Sequence, residues 1–177
     1  YLAVNLPKMG GTLIQAEDEI ASISQVVGAS VAGKKAMTAT SGPGLSLMSE
    51  MLGFAFMSET PVVVVNVQRG GPSTGLPTKH EQSDLFAAVY GSHGDAARIV
   101  LSLENVADCV SMSVDALNLA ETYACPVILL SESSLAFSSQ TIAAPDPDSI
   151  EVVERKRWDG EGEYQRYAMT EDFISPM

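Results

Sequence analysis

Hydrophobic and polar positions follow two different periods along the chain. Residues 61–67 form a continuous run of mostly β-branched apolar side chains, which is typical of a central parallel strand that is buried on both faces. Residues 20–32 instead carry apolar and small side chains at helical spacing. The face of this helix that is predicted to be buried consists of Ile20, Ile23, Val27 and Val31.

Strand and helix patterns alternate over the first 137 residues. Strands are predicted at residues 12–16, 36–40, 61–67, 98–103 and 126–130. Helices are predicted at residues 17–32, 45–57, 81–89 and 105–123. Because strands that alternate with helices pair in parallel, the predicted fold is α/β, a doubly wound parallel sheet with helices on both faces.

The composition changes near residue 138, where Pro, Asp and mixed charges replace the periodic pattern. We therefore expect a domain at residues 1–137 and a linker toward a following domain at residues 138–177. The large side chains available to anchor this linker are Trp158, Tyr164 and Tyr167. Because the chain opens at Tyr1 rather than Met, we expect it to be a fragment of a longer polypeptide.

Acidic side chains outnumber basic ones. The 177 residues include 22 acidic and 10 basic side chains, giving a formal net charge of −12 and a pI of about 4.4. This balance argues against nucleic acid and acidic membranes as partners. The one dense basic cluster, at residues 155–157, is flanked by acids and is expected to be solvated. No apolar run approaches the roughly 18 to 20 residues of a membrane span, so we expect a soluble chain.

Cys109 and Cys125 are the only cysteines, and their spacing matches no metal-binding motif. We therefore expect no disulfide scaffold, no iron–sulfur cluster and no metal site on this chain. A reducing cytoplasm is the expected location.

Two glycine-containing segments match phosphate-binding loops only in part. Residues 28–35 match a P-loop up to its lysine, but they lie in a helical pattern and end in Lys35 instead of Ser or Thr. The turn at residues 42–44 lies between a strand and a helix, but Leu47 replaces the third glycine of a dinucleotide motif. We therefore expect a tight turn that brings backbone close to a ligand.

Two other segments carry candidate chemistry. The acidic triplet at residues 17–19 either only favours the positive end of a helix dipole or includes a carboxyl that hydrogen-bonds a heterocycle. Arg69 is the second residue of a segment, residues 68–78, with three glycines and three hydroxyl groups. Its planar guanidinium suits a carboxylate, so we expect it to contact a ligand. His80 and His93 lie in predicted loops, where a surface position and a proton relay are both open.

Four segments together resemble the alpha subunit of 2-oxoacid:ferredoxin oxidoreductases, with the 2-oxoglutarate enzymes as the nearest type. They are Ala16-Glu-Asp-Glu19, Ala39-Thr-Ser-Gly-Pro-Gly44, Asn66 through Thr78 and Glu81-Gln-Ser-Asp84. The loop that begins at Arg69 is specific to that family, whereas the Thr-Ser-Gly-Pro-Gly turn occurs more widely among thiamine-diphosphate enzymes. The chain is similar to the pyrimidine-binding domain, the half of the site that holds the cofactor's aminopyrimidine.

The resemblance implies a role for each matched residue. Glu19 corresponds to the glutamate that hydrogen-bonds the pyrimidine N1′ and promotes the tautomer that removes the thiazolium C2 proton. Arg69 and Thr78 correspond to positions that bind the 2-oxoacid. Further cofactor contacts are implied for Ser41, Gly42, Pro43 and Gly44. The implied reaction is the oxidative decarboxylation of a 2-oxoacid, with 2-oxoglutarate expected, using CoA and ferredoxin.

Two features of that family are missing from the sequence. Its N-terminal strand and its Tyr-Pro-Ile-Thr-Pro loop should precede Tyr1, and no Gly-Asp-Gly followed by Asn is present to hold magnesium and the diphosphate. We therefore expect a beta subunit to carry the diphosphate, Mg²⁺ and an iron–sulfur cluster. The chain alone is expected to be inactive. Whether a gamma domain is fused to the full polypeptide or is a separate subunit is not determined by the sequence.

Two other functions share some of these sequence features. A non-oxidative thiamine-diphosphate enzyme of the acetohydroxyacid-synthase type would share the glutamate and the glycine turn, but it would not explain the loop at residues 69–78. A stand-alone nucleotide-binding α/β domain is disfavoured by its incomplete glycine motifs.

Overall fold

A parallel sheet forms the centre of the protein, whose computed structural model describes residues 1–177. The strands are β1 Met37–Ser41, β2 Val62–Gln68, β3 Ile99–Ser102 and β4 Pro126–Glu132. They lie in the order β1-β2-β4-β3, and every neighbouring pair is parallel. The central position of β2 agrees with its continuous apolar run.

Helices connect the strands and cover the sheet. They are α1 Leu2–Asn5, α2 Glu19–Val31, α3 Gly44–Leu47, α4 Ser49–Met57, α5 Leu85–Tyr90, α6 Val106–Tyr123 and α7 Ser133–Ala136. Two short 3-10 helices lie at Leu6–Met9 and Pro147–Ser149. None of the helices combines the length and the apolar character needed to cross a membrane.

The core has one layer on each face of the sheet. On the first face, α2, α3 and α4 pack against Val62 and Val64. On the second face, α6 packs against Val63 and Val127. Because successive residues of a strand point to opposite faces, β2 is buried on both. The predicted α/β fold, a doubly wound parallel sheet with helices on both faces, is confirmed.

Side-chain caps fix where the two longest helices begin. The carboxylate of Asp18 accepts a hydrogen bond from the backbone N–H of Ala21 at 2.8 Å, so α2 starts at the next residue after Asp18. The Oδ1 atom of Asn105 accepts from the N–H groups of Ala107 and Asp108 at 2.9 and 3.1 Å. The cap of Asp18 occupies one, and that of Asn105 two, of the donors that a helix start leaves unpaired.

The buried face of α2 differs from the predicted one. It consists of Ile23, Val26, Val27 and Ser30. Ile20 and Val31 are 52 % and 60 % exposed, so the prediction was wrong at both ends of the helix. The carbonyl and the hydroxyl of Ser30 accept hydrogen bonds from Arg155, which favours burial of this position.

Residues 12–16 do not form the predicted strand. They pair with no other strand, and Leu13 and Ile14 are 43 % and 64 % exposed. An extended segment without a neighbour gains no ladder of hydrogen bonds and no packed face. β1 is therefore the edge of the sheet on this side.

Two helices differ in their bounds from the prediction. The helix predicted at residues 45–57 is divided into α3 and α4 at Met48. The helix predicted at residues 81–89 begins only at Leu85, because the backbone N–H of Asp84 donates to the Gln68 side chain instead.

Arg155 attaches the segment at residues 138–177 to the domain. Its Nε and Nη2 atoms donate to the Glu121 carboxylate at 2.7 and 2.6 Å, and Nη1 donates to the carbonyl of Ser30 at 2.6 Å. Arg155 is only 7 % exposed, so the expectation of a fully solvated basic cluster was wrong. A carboxylate as buried as that of Glu121 needs such a partner.

Arg166 makes a second attachment, at the end of α4. Its Nη2 atom donates to the carbonyls of Ser58 and Glu59 at 2.6 and 3.0 Å, where the helix dipole favours a positive charge. The aromatic side chains predicted as anchors are more exposed, at 41, 42 and 61 % for Trp158, Tyr164 and Tyr167. The division at residue 137 stays a prediction.

We expect Arg155→Met to lower the free energy of unfolding by about 3–5 kcal/mol, because it leaves the buried Glu121 carboxylate unpaired. Arg157→Ala should change it by less than about 0.5 kcal/mol, since that side chain is 63 % exposed. Urea unfolding measures both. Adding Glu121→Leu to Arg155→Met should recover much of the loss, and no recovery would contradict the unpaired-charge explanation.

Candidate active site

The carboxyl ends of β1 and β2 lie side by side, and each leads into a loop. Ser41 pairs with Val67 at this edge, and its Oγ atom donates to the Val67 carbonyl at 2.7 Å. The hydroxyl of Ser41 therefore joins the two strand ends. The turn at residues 42–44 follows directly, in the position where parallel α/β sheets usually bind ligands.

Glu19 packs against this turn from the start of α2. A Cβ atom added at Gly44 would lie 2.8 Å from Cγ and 3.1 Å from Oε1 of Glu19, and it would collide with the hydroxyl of Thr40. Only glycine fits at this position. The Thr40 hydroxyl is buried and has no hydrogen-bond partner. A carboxyl and an unpaired hydroxyl therefore meet around one glycine.

Arg69 packs against the same turn from the end of β2. Gly42 has a φ of 68°, and a Cβ atom there would lie 2.5 Å from Nε and 2.9 Å from Cζ of Arg69. The Nε atom is buried without a partner, and Nη2 donates only to the carbonyl of Thr74 at 3.4 Å. No carboxylate lies within 4.0 Å of the guanidinium. Arg69 therefore retains donors for a ligand.

A cavity of about 570 Å³ opens beside Arg69. Its lining consists of Gly42, Pro43, Ser46, Arg69, Gly71, Pro72, Ser73, Glu81, Ser83 and Asp84. Apart from the two prolines, every lining residue is polar, charged or glycine. This lining suits a small, polar or anionic ligand better than an apolar one.

A buried polar network supports the far side of this cavity. The Nδ2 atom of Asn66 donates to the Asp84 carboxylate at 2.9 Å, and the Asp84 N–H donates to Oε1 of Gln68 at 3.0 Å. Gln68 in turn donates to the carbonyl of Ser131 at 3.1 Å. Glu81 and Asp84 belong to a segment that resembles the family, but the sequence predicted no role for either residue. The available signal was Asn66 and Gln68, two polar residues on one face at the end of an apolar strand.

The structure brings together most of the residues predicted for the site, but not all of them. Glu19, Arg69 and the turn at residues 42–44 share direct contacts. Thr78 is exposed and does not line the cavity, and His80 and His93 are also exposed. The roles of all these residues stay predictions.

The surroundings of the two cysteines raise the pKa of both thiols. Burial raises the pKa of the Cys125 thiol to about 11, so it stays protonated at neutral pH. Burial, followed by the charge of Asp108, raises the pKa of the Cys109 thiol. No group of three or more His, Cys, Asp or Glu side chains is arranged to hold a metal ion.

The sequence of the whole chain defines the class of protein to which this site belongs. Residues 2–176 match the family described as pyruvate flavodoxin/ferredoxin oxidoreductase, thiamine diP-binding. The chain belongs to this family. This match favours neither an enzyme of the acetohydroxyacid-synthase type nor a nucleotide-binding domain.

Two relatives of the chain are subunits of 2-oxoglutarate enzymes. The chain is 50 % identical over 155 residues to the 2-oxoglutarate synthase subunit KorA of Archaeoglobus fulgidus, covering 88 % of this chain and 45 % of the relative. It is 47 % identical over 139 residues to the 2-oxoglutarate oxidoreductase subunit KorA of Mycobacterium tuberculosis, covering 78 % and 21 %. The chain therefore spans less than half the length of these relatives.

A solved structure shows the same fold. The 2-oxoglutarate:ferredoxin oxidoreductase from Magnetococcus marinus, with 2-oxoglutarate, coenzyme A and succinyl-CoA bound, is 71 % identical to this chain. The TM-score is 0.98, and the match covers 100 % of this chain and 31 % of the other. This likeness supports the assignment of the fold as a thiamine-diphosphate pyrimidine-binding domain.

We expect Gly44→Ala to lower the free energy of unfolding by about 1–3 kcal/mol, because the added methyl group must displace Thr40 or Glu19. Gly53 provides a matched control, since it lies inside α4 with no atom within 4 Å of an added Cβ. Gly53→Ala should be neutral or stabilise by about 0.5–1 kcal/mol. Urea unfolding compares the two, and equal effects would contradict the close packing around Gly44.

Proposed function

We propose that this chain is the pyrimidine-binding part of a 2-oxoglutarate:ferredoxin oxidoreductase. The reaction would be 2-oxoglutarate + CoA + 2 oxidised ferredoxin → succinyl-CoA + CO₂ + 2 reduced ferredoxin + H⁺. The observation that carries the proposal is the packing of a carboxyl, Glu19, and an unpaired guanidinium, Arg69, on one glycine turn. Family membership and the similarity to 2-oxoglutarate enzymes support the substrate class.

The residues around Gly44 fit an aminopyrimidine ring. Glu19 offers a carboxyl that can hydrogen-bond a ring nitrogen, and the missing Cβ atoms of Gly42 and Gly44 let Arg69 and Glu19 lie against the turn. The unpaired Thr40 hydroxyl offers one more polar contact. When bound, thiamine diphosphate supplies a carbon nucleophile and an electron sink for decarboxylation. Glu19 then holds or accepts a proton at its carboxyl.

Arg69 fits the carboxylate of a 2-oxoacid. Decarboxylation requires that this carboxylate be held in place until it leaves, and a guanidinium can do so with two parallel N–H donors. No internal ion pair occupies the guanidinium, its Nη1 atom makes no hydrogen bond, and its Nη2 atom makes one long bond at 3.4 Å. Thr78 would be a second contact only if its exposed loop folds toward the cavity, so its role rests on the family resemblance.

The remaining parts of the reaction are assigned to partners. We propose that a beta subunit holds the diphosphate, Mg²⁺ and an iron–sulfur cluster, and that ferredoxin accepts the electrons. This division agrees with the sequence, which carries a candidate pyrimidine half-site but no Gly-Asp-Gly motif.

In the complete enzyme, Glu19→Gln should lower kcat by roughly 10²-fold or more, the scale for losing a positioned acid–base group. The protein should keep its melting temperature, because glutamine has nearly the same size as glutamate. Steady-state assays with 2-oxoglutarate measure the effect. The control is Glu17→Gln, whose side chain is exposed and should be dispensable. A large loss in the control instead would reassign the catalytic carboxyl.

Arg69→Lys should lower kcat/KM for the 2-oxoacid at least about tenfold, because an ammonium cannot replace a planar two-pronged donor. The lost charge-assisted contact is worth about 1.5–3 kcal/mol. Thiamine-diphosphate affinity should change little. If Arg69 only anchored its loop, Arg69→Lys and Arg69→Ala would lower the melting temperature, with kinetics restored in the cold. Unchanged kcat/KM in stable protein would remove Arg69 from the site.

A further inference from the structure

The loop that follows Arg69 is held by few contacts. Backbone hydrogen bonds close its base: the N–H of Gly70 donates to the Lys79 carbonyl at 2.8 Å, and the N–H of Leu76 donates to the Gly70 carbonyl at 2.9 Å. Every residue from 71 to 80 is exposed. Gly75 also packs closely on the backbone of Gly70 and Gly71, so the side-chain hydrogen bonds to residues 71–74 are the other contacts that orient the loop.

Glu81 makes one of these side-chain hydrogen bonds. Its Oε2 atom accepts a hydrogen bond from the backbone N–H of Gly71 at 3.0 Å, and it lies 3.6 Å from where a Cβ on Gly70 would be. The one other side-chain hydrogen bond within residues 69–81 is the bond of Arg69 to the Thr74 carbonyl, which is long at 3.4 Å. Both the backbone next to Arg69 and the acceptor of its guanidinium thus belong to the segment that Glu81 holds.

The same hydrogen bond occupies the Glu81 carboxylate. Glu81 and Arg69 line one cavity, yet they form no ion pair within 4.0 Å. A charged acceptor bound to a backbone N–H is a strong contact, so Glu81 is drawn toward Gly71. The Nη1 atom of Arg69 makes no hydrogen bond, so this donor stays available for a substrate carboxylate.

We propose that Glu81 is a positioning residue that holds the loop after β2 through the Gly71 N–H and so fixes Arg69 toward the cavity. This inference rests on the proposed function, in which Arg69 binds the carboxylate of a 2-oxoacid. Glu81 itself acts through the loop and contacts no reacting atom.

Kinetics of the complete enzyme test the proposal through three variants. Glu81→Ala should raise KM for 2-oxoglutarate about five- to tenfold and leave kcat within about twofold, because substrate capture weakens while the chemistry is intact. Glu81→Gln should restore KM to within about twofold of wild type, since the amide oxygen still accepts from Gly71. The control Glu163→Ala also removes one charge, from an exposed side chain without hydrogen bonds or ion pairs, and should have no effect.

Hydrogen–deuterium exchange gives a readout that is independent of turnover. Peptides covering residues 69–81 should exchange faster in Glu81→Ala than in wild type, and at the wild-type rate in Glu81→Gln. Unchanged exchange in Glu81→Ala would overturn the proposal even if the enzyme used another substrate. If the wild-type enzyme fails to turn over 2-oxoacids while the exchange differs as expected, the proposed function is wrong. The conclusion that Glu81 holds the loop is then still supported.

Three kinetic outcomes would also overturn the proposal. A lower KM in Glu81→Ala would mean that Glu81 competes with substrate for Arg69. An equal loss in Glu81→Gln and Glu81→Ala would mean that charge, and not the hydrogen bond to Gly71, matters. A wild-type KM in Glu81→Ala would mean that the loop positions Arg69 without Glu81.

Discussion

The close packing of one glycine turn on two charged side chains is the constraint on which the candidate site depends. Parallel pairing of β1 and β2 brings the turn at residues 42–44 beside Arg69, and the cap of Asp18 starts α2 so that Glu19 contacts the same turn. The carboxyl and the guanidinium are thus placed by backbone contact and not by pairing with each other. Both keep hydrogen-bonding capacity for a ligand.

Strand β2 serves both the fold and the site. Its first residues are valines that pack on both faces, whereas Asn66 and Gln68 near its end are buried amides. Buried amides are costly unless they are hydrogen-bonded, and these two use their bonds to hold Asp84 at the start of α5. The strand at the centre of the core therefore also holds one side of the cavity in place through hydrogen bonds to Asp84.

The sequence predicts elements well where periodicity is strong and local. β2 and α6 lie within one residue of their predicted bounds, because a run of valines and a capping residue are visible in the chain itself. The strand at residues 12–16 could not be excluded from sequence, because pairing depends on a neighbour and not on local pattern. The contacts of Arg155 and Asp84 were not predicted for a related reason: their partners, Glu121 and the β2 amides, are distant in sequence.

The arginines of this protein differ in how fully they are satisfied. All three guanidinium nitrogens of Arg155 donate to carbonyl or carboxylate oxygens, and both terminal nitrogens of Arg166 do the same. These two residues bind at the ends of helices that lead into the amino edge of the sheet. Arg69, at the carboxyl edge, makes one long hydrogen bond and buries an unpaired Nε. Arg98 is satisfied as poorly, with one 3.4 Å bond from Nη1 to the Gly91 carbonyl and a buried, unpaired Nη2 atom. The position of Arg69 beside the polar cavity, and not the unpaired donor alone, therefore supports a role completed by a bound carboxylate. The C-terminal segment can accordingly stabilise the domain without covering that cavity.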